Sequence, residues 1–395
     1  MMNEKTIELI ENKIKFLRNK TPIKNFDNNR LAEIEINKFF YDGKMIDRVM
    51  VVLRSNGCEH YKKTGGCSMC SHFNGTPSEV VTNENYKTQW NSALKGEGID
   101  KNDFEFILNN YPVVCIYNLG SLLNEKEISK EVVEYIFSTL NDYKDVKKAI
   151  IESRSEYVTD NAISNIKNVY DSVLEVGIGV ESTDSTIREL CHHKGIEDFE
   201  KVKEAINVLH KYNCKALAYV NFKPIFLTEK EAIEDAIKTA IDCFKMGFDA
   251  VSIEPTSLQE CSLANHLYEL GEYRVPWLWS IKKIVDGIYS QLDNKKLDIR
   301  IGGYFDEEVL SGSQGVGYEG KNEIFPHMTS SNCSICTDRY IEGIKEFNAT
   351  YDIKNLDNIK ECPNCYQLWE DTIKISDSRS IEQRIVDILG NGSNN

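Results

Sequence analysis

The chain of 395 residues lacks any run of 18 or more apolar residues. A helix needs roughly 20 of them to cross a bilayer, so no membrane span is expected. The N-terminus, MMNEKTIELIENKIKFL, lacks the apolar stretch and small-residue cleavage site of a signal peptide. A cytoplasmic location is therefore expected. Positive charge is also scarce: 47 Lys and Arg stand against 62 Asp and Glu, a net charge of −15. Phosphate neutralisation needs clustered Lys and Arg, so a broad nucleic-acid-binding surface is disfavoured. A local basic patch or a basic partner stays compatible with that balance. No fixed-period repeat is present besides an alternation of strand and helix patterns.

Cysteine is not scarce. Twelve cysteines in an unexported protein argue against a disulfide scaffold and for reduced thiols and metal. Three of them, Cys58, Cys67 and Cys70, form a C-x8-C-x2-C run in VVLRSNGCEHYKKTGGCSMCSHF. Such a loop can bring three thiolates to one iron–sulfur cluster. Three ligands on a four-iron (4Fe-4S) cluster leave one iron open, a handle for S-adenosylmethionine (SAM). A structural zinc site completed by His60 or His72 is the alternative. Both histidines also fit solvated loop or supporting positions.

Residues 1 to about 40 read as helical, with apolar positions at helical spacing in IELIENKIKFL and NNRLAEIEINKFF. From Met45 on, strand candidates alternate with helices. They are MIDRVMVVLR, VVCIYNL, KKAIIES, LEVGIGVE, CKALAYVNFK, DAVSIEP and LDIRIGGY. Alternation of this kind implies parallel strands with right-handed crossovers. The expected fold is α/β: a partial (β/α)6 barrel over 45–310, after an N-terminal helical extension (1–44). A small C-terminal metal-binding lobe (311–385) and a disordered tail (386–395) follow.

In such barrels chemistry collects at the C-terminal strand ends. The second strand ends in Asn118, Leu119, Gly120 and Ser121, where backbone groups can meet an amino-acid cofactor. A plain tight turn fits as well. Gly177, Gly179 and Glu181 lie on the fourth strand, and interior glycine suits a close approach. Glu181 can accept from a ribose or simply be solvated. Lys223 can bind a carboxylate or phosphate, or remain in water. Glu152, Arg154 and Glu254 also sit at strand ends, and an Arg beside acids can hold a substrate carboxylate.

A second constellation lies near the C-terminus. Cys333 and Cys336, then Cys362 and Cys365, make two C-x2-C pairs separated by 25 residues. Four thiolates with no vacancy fit a closed structural zinc (Zn2+) site. An auxiliary iron–sulfur cluster uses the same ligands. The other five cysteines lack pairing spacing and read as buried, inert thiols.

With these motifs the protein resembles radical SAM enzymes. Its three-cysteine spacing is wider than their commonest C-x3-C-x2-C. It is similar to the branch containing the radical domain of the elongator acetyltransferase subunit. Within that branch it resembles the radical subunits of archaeosine synthase. The resemblance rests on the cysteine loop, YNLGSLLNEKEI, IIESRSEYVT, EVGIGVEST, NFKPIFLTE, ELGEYRVPWLWS and SNCSICTDR…CPNC, and spans about 45–370.

The resemblance implies a 4Fe-4S cluster on Cys58, Cys67 and Cys70, the SAM methionine beside Asn118–Ser121, and its ribose by Glu181. It implies reductive cleavage of SAM to a 5′-deoxyadenosyl radical. That radical would drive C–N cleavage of a lysine attached to a 7-deazaguanine base in tRNA, as in archaeosine formation. The implied partners are a lysine-transferring subunit, tRNA and an electron donor such as flavodoxin or ferredoxin. Two other functions stay open: radical chemistry on a small metabolite or peptide, and a non-catalytic iron–sulfur sensor or scaffold.

Overall fold

The computed structural model describes residues 4–21, 25–99, 105–292, 297–302, 328–357, 359 and 362–390. One eight-stranded sheet runs in sequence order. Its strands are β1 (Glu33–Tyr41), β2 (Lys44–Val52), β3 (Val113–Tyr117), β4 (Lys148–Ser153), β5 (Val173–Gly179), β6 (Lys215–Phe222), β7 (Ala250–Pro255) and β8 (Asp298–Ile301). From β2 to β8 every neighbouring pair is parallel. All seven apolar runs that read as strands are strands, and they build the α/β partial barrel.

Helices α1 (Glu4–Arg18), α2 (Glu59–Thr64) and α3 (Asn83–Leu94) precede β3. The crossovers that follow carry α4 (Lys130–Leu140), α5 (Asp160–Lys167), α6 (Glu200–Lys211), α7 (Glu229–Met246), α8 (Leu263–Glu269) and α9 (Trp279–Gln291). Thr228 and Glu231 close a capping box on α7, and left-handed Gly247 ends it. Apolar positions on one side of the strands pack against these helices. Opposite them, Phe39, Val113, Cys115 and Ile150 form a small core inside the barrel.

The N-terminal extension is helical only in part. Residues 33–41 form β1, antiparallel to β2. Asp42 (φ 50°) and Gly43 (φ 75°) make the two-residue turn. Asp-Gly with both φ values positive is the preferred chemistry for a tight hairpin. Alternate residues Glu35, Asn37 and Phe39 then face the barrel cavity. Strand periodicity therefore prevails over the helical reading of EIEINKFF.

A charged layer closes the bottom of the barrel. Glu175 accepts from Lys148 at 2.6 Å and from Arg300 at 2.7 and 3.2 Å. Burial opposes its charge, but Arg300 and Lys148 hold its carboxyl down to about 2.

The C-terminal region shares the barrel's core. Its helices are α10 (Ser334–Thr350), α11 (Lys354–Asp357), α12 (Pro363–Lys374) and α13 (Ile381–Ile385). Tyr340, Ile344, Phe347 and Trp369 join the main hydrophobic cluster. Asn348 exchanges two 2.8 Å hydrogen bonds with the Ile301 backbone of β8. The expected boundary at 310 and residues 391–395 lie outside the described residues. Residues 386–390 are not tail: they continue α13 as a wide helical turn and bury Leu389.

Candidate active site

The cysteine loop follows β2 and rises over the C-terminal strand ends. Cys58 precedes α2, and left-handed Gly65 and Gly66 turn the backbone toward Cys67 and Cys70. All three cysteines line one cavity of about 550 Å³. The same wall carries Leu119, Gly120, Ser121, Glu152, Arg154, Gly179, Glu181 and Glu254. Topology thus gathers eight strand-end candidates beside the three thiols.

Two candidates stand apart. Asn118 is buried, and its side-chain Oδ1 and Nδ2 have no partner among the described residues. Lys223 does not line the cavity. Its ammonium pairs with Glu229 at 3.0 Å and donates to the Arg274 carbonyl at 2.8 Å. It ties the end of β6 to α7 and the segment before α9.

Glu181 accepts from Lys194 at 2.7 Å. Burial opposes the Lys194 charge, yet Glu181 and the nearby Cys67 thiol hold its pKa above the ordinary lysine value. Arg154 donates to the Lys194 and Gly195 carbonyls at 2.8 and 2.9 Å and pairs with Glu156. Its fork is therefore occupied in fixing the Lys194 loop. Leu119 and Glu181 both have left-handed backbones (φ 59° and 61°). Non-glycine residues seldom adopt that conformation, and it concentrates at binding sites.

Glu152 and Glu254 face the cavity as half-buried acids. Burial raises the Glu152 pKa, against pulls from His72 and the Tyr219 hydroxyl that bonds it. Burial likewise raises Glu254, whose carboxylate accepts from Ser252 at 2.6 Å. Gly302 leaves room for it: an added Cβ there would stand 1.9 Å from the Glu254 oxygen.

Sequence reasoning missed several contributors. Glu127 accepts from the backbone N–H of Glu59 at 2.9 Å and of Ser121 at 2.6 Å, joining the cysteine loop to the β3 loop. Lys194, Tyr219 and Arg18 carry no motif. Only the alternation along β6, which puts Leu217, Tyr219 and Asn221 on the cavity side, could have found Tyr219. His60 is not a free ligand: its Nε2 meets the His193 carbonyl at 2.8 Å, and burial lowers its pKa to about 4.

In the C-terminal region the thiols of Cys333, Cys336 and Cys365 lie within 4.8 Å of one another. Among the described residues no other trio of His, Cys, Asp or Glu converges so closely. Cys362 is outside that trio but directs its backbone N–H at the Cys336 sulfur. The Trp279 indole donates to the Cys365 sulfur at 3.1 Å.

No family model matches the sequence. Curated relatives do. The protein is 31% identical to the archaeosine synthase subunit beta of Thermococcus kodakarensis, over 83% of its own length and 92% of that relative. The chain belongs to the archaeosine synthase subunit beta family. As a member of that family it is an enzyme, and the non-catalytic alternative falls away. An uncharacterised protein of Methanocaldococcus jannaschii is 32% identical over 84% of this sequence and 83% of its own. A queuine lyase from Clostridium spiroforme, solved with SAM and queuine, aligns at a TM-score of 0.42 and 19% identity. The alignment covers 69% of this protein and 98% of the lyase, and so distant a likeness adds nothing to the assignment. Among the described residues no helix is long and apolar enough to cross a membrane.

Proposed function

We propose that this protein is the radical subunit of an archaeosine synthase, with Cys58, Cys67 and Cys70 holding a 4Fe-4S cluster. The observation that carries the reading is three thiols and two half-buried acids lining one cavity. When bound, the cluster would supply the electron that cleaves SAM to methionine and a 5′-deoxyadenosyl radical. The donor set suits that group. Metal binds thiolates, and a cluster with three thiolates is anionic. Arg18, Arg154 and Lys194 act electrostatically on these cysteines and offset that charge.

The protein's own groups do the holding. The Leu119–Gly120 backbone, which lines the cavity, would bind the SAM amino acid, and the Glu181–Lys194 pair the ribose. Glu152 and Glu254, destabilised as bare carboxylates by burial, would be relieved by a substrate ammonium. A lysine attached to the 7-deazaguanine base carries such an ammonium. Rigid placement matters because hydrogen-atom abstraction works only at close range. The reaction would break the C–N bond within the attached lysine and leave an amidine on the base.

A lysine-transferring subunit would make the adduct and, given the net charge of −15, supply most of the tRNA affinity. A flavodoxin or ferredoxin would deliver electrons in the cytoplasm. The test is anaerobic: reconstituted protein, SAM, reductant and lysine-bearing tRNA, with 5′-deoxyadenosine and archaeosine measured. A Cys58/Cys67/Cys70→Ala triple variant should lose SAM cleavage, and its retention of that activity would refute the cluster assignment. The 550 Å³ cavity also suits a free small molecule. Turnover of the free base adduct, with none on tRNA, would select that second reading.

A further inference from the structure

One cation beside the cysteine loop comes from outside the barrel. Arg18 is the last residue of α1 and is only 6% exposed. Its Nε donates to the Gly65 carbonyl at 3.1 Å. One terminal nitrogen donates to the Cys67 carbonyl at 3.0 Å and the Cys70 carbonyl at 2.6 Å. The other donates to the carbonyl of Cys261. A single guanidinium therefore gathers three carbonyls of the cysteine loop and one from the loop after β7.

The fit is built on both sides. Gly65 (φ 92°) and Gly66 (φ 87°) turn the loop so that its carbonyls converge. A Cβ on Gly65 would stand 2.8 Å from Ile14 of α1, so helix and loop interlock. The guanidinium face lies 4.1 Å from the Phe73 ring, which stacks on Tyr61 at 4.7 Å and 10°. Guanidinium presents five N–H groups in a rigid fork, whereas an ammonium is a point donor that cannot span these four acceptors. Burying the cation is costly without anions nearby, and the Cys67 and Cys70 sulfurs are the anions at hand when they bind metal.

We infer that Arg18 is a positioning residue: it holds the three-cysteine loop in its metal-binding shape and raises the reduction potential of the cluster bound there. The inference rests on the reading of Cys58, Cys67 and Cys70 as cluster ligands. Reduction adds one electron from an external one-electron donor to an already anionic assembly. A fixed positive charge beside the ligands makes that addition more favourable. The N-terminal helix, outside the barrel in sequence, would thus govern both loading and poise of the reactive centre.

The test uses the full-length protein with Arg18→Gln or Arg18→Lys. In metal-free protein, amide exchange across residues 58–72 should quicken roughly tenfold or more in both variants, because both lose the fork. After anaerobic reconstitution, Arg18→Gln should show a midpoint potential shifted negative in an EPR-monitored titration. Arg18→Lys keeps the charge and should stay near the wild-type potential despite its looser loop. Wild-type exchange or a wild-type midpoint in Arg18→Gln overturns the inference, and if that variant does not fold, wild-type loop exchange in Arg18→Lys does so. Failure of the underlying reading looks different: wild-type protein would take up no more iron than the triple cysteine variant. The exchange comparison in metal-free protein would still judge the clamp.

Discussion

Lys194 donates to the Glu181 carboxylate at 2.7 Å across the spot where a side chain on Gly179 would stand. A Cβ there would lie 2.3 Å from the ammonium and 2.7 Å from the acceptor oxygen. Gly179→Ala must therefore displace the ammonium, the carboxylate or both. We expect affinity for SAM to fall about tenfold or more, with iron content unchanged. Equilibrium dialysis of reconstituted protein measures this. Wild-type affinity would remove the pair from the SAM site.

Glu152 and Glu254 are expected to act on substrate rather than on the cluster. Glu152→Gln and Glu254→Gln should each lower product formation about 10- to 100-fold, the loss of a charged hydrogen bond. Cluster absorption should persist, and so should uncoupled formation of 5′-deoxyadenosine. Wild-type product rates in both variants would place the substrate ammonium elsewhere.

The C-terminal thiols should hold a structural metal. Elemental analysis of the Cys58/Cys67/Cys70→Ala variant should find about one zinc per molecule. About four irons and no zinc would indicate an auxiliary cluster instead, and neither metal would dismiss the site. Metal binding in thiolate sites contributes on the order of 10 kcal/mol to folding. Cys365→Ser should therefore melt α10 and α12 and lower soluble yield. Cys362, outside the converged trio, should matter less.

His192 should set one component of the acid sensitivity. Among the described residues neither of its buried ring nitrogens has a partner, and burial lowers its pKa to about 3. Above about pH 6.5 the ring is neutral in both the folded and the unfolded state. As pH falls below that value, only the unfolded state readily gains the proton, so stability is lost toward acid. Relative to His192→Met, the wild-type protein should lose about 3 kcal/mol between roughly pH 7 and pH 4. Urea unfolding at several pH values checks this, and a pH-independent difference would contradict it.

The strands were legible because buried parallel strands read as short apolar runs, clearest in VVCIY of β3. The cysteine loop was legible because its spacing has few other uses. β1 was misread: its apolar residues fit a helical stripe as well as alternation, and the Asp42–Gly43 turn was the decisive signal. Lys223 looked reactive because a strand end was its only visible context. Glu229, at the start of the next helix, is what occupies it. Lys194 and Glu127 could not be found from spacing. Their importance arises from crossovers that return distant loops to the same rim.

The Asp42–Gly43 turn has a consequence for how such a protein can change. Because β1 alternates, a single residue inserted before the turn would shift the pairing and turn Glu35, Asn37 and Phe39 outward. Their neighbours would then form that side of the chamber, while the three cysteines, far along the sequence, kept their places. The cysteine loop and one wall of the cavity are thus separately heritable. A lineage can alter what enters by editing a hairpin while leaving the three thiols untouched.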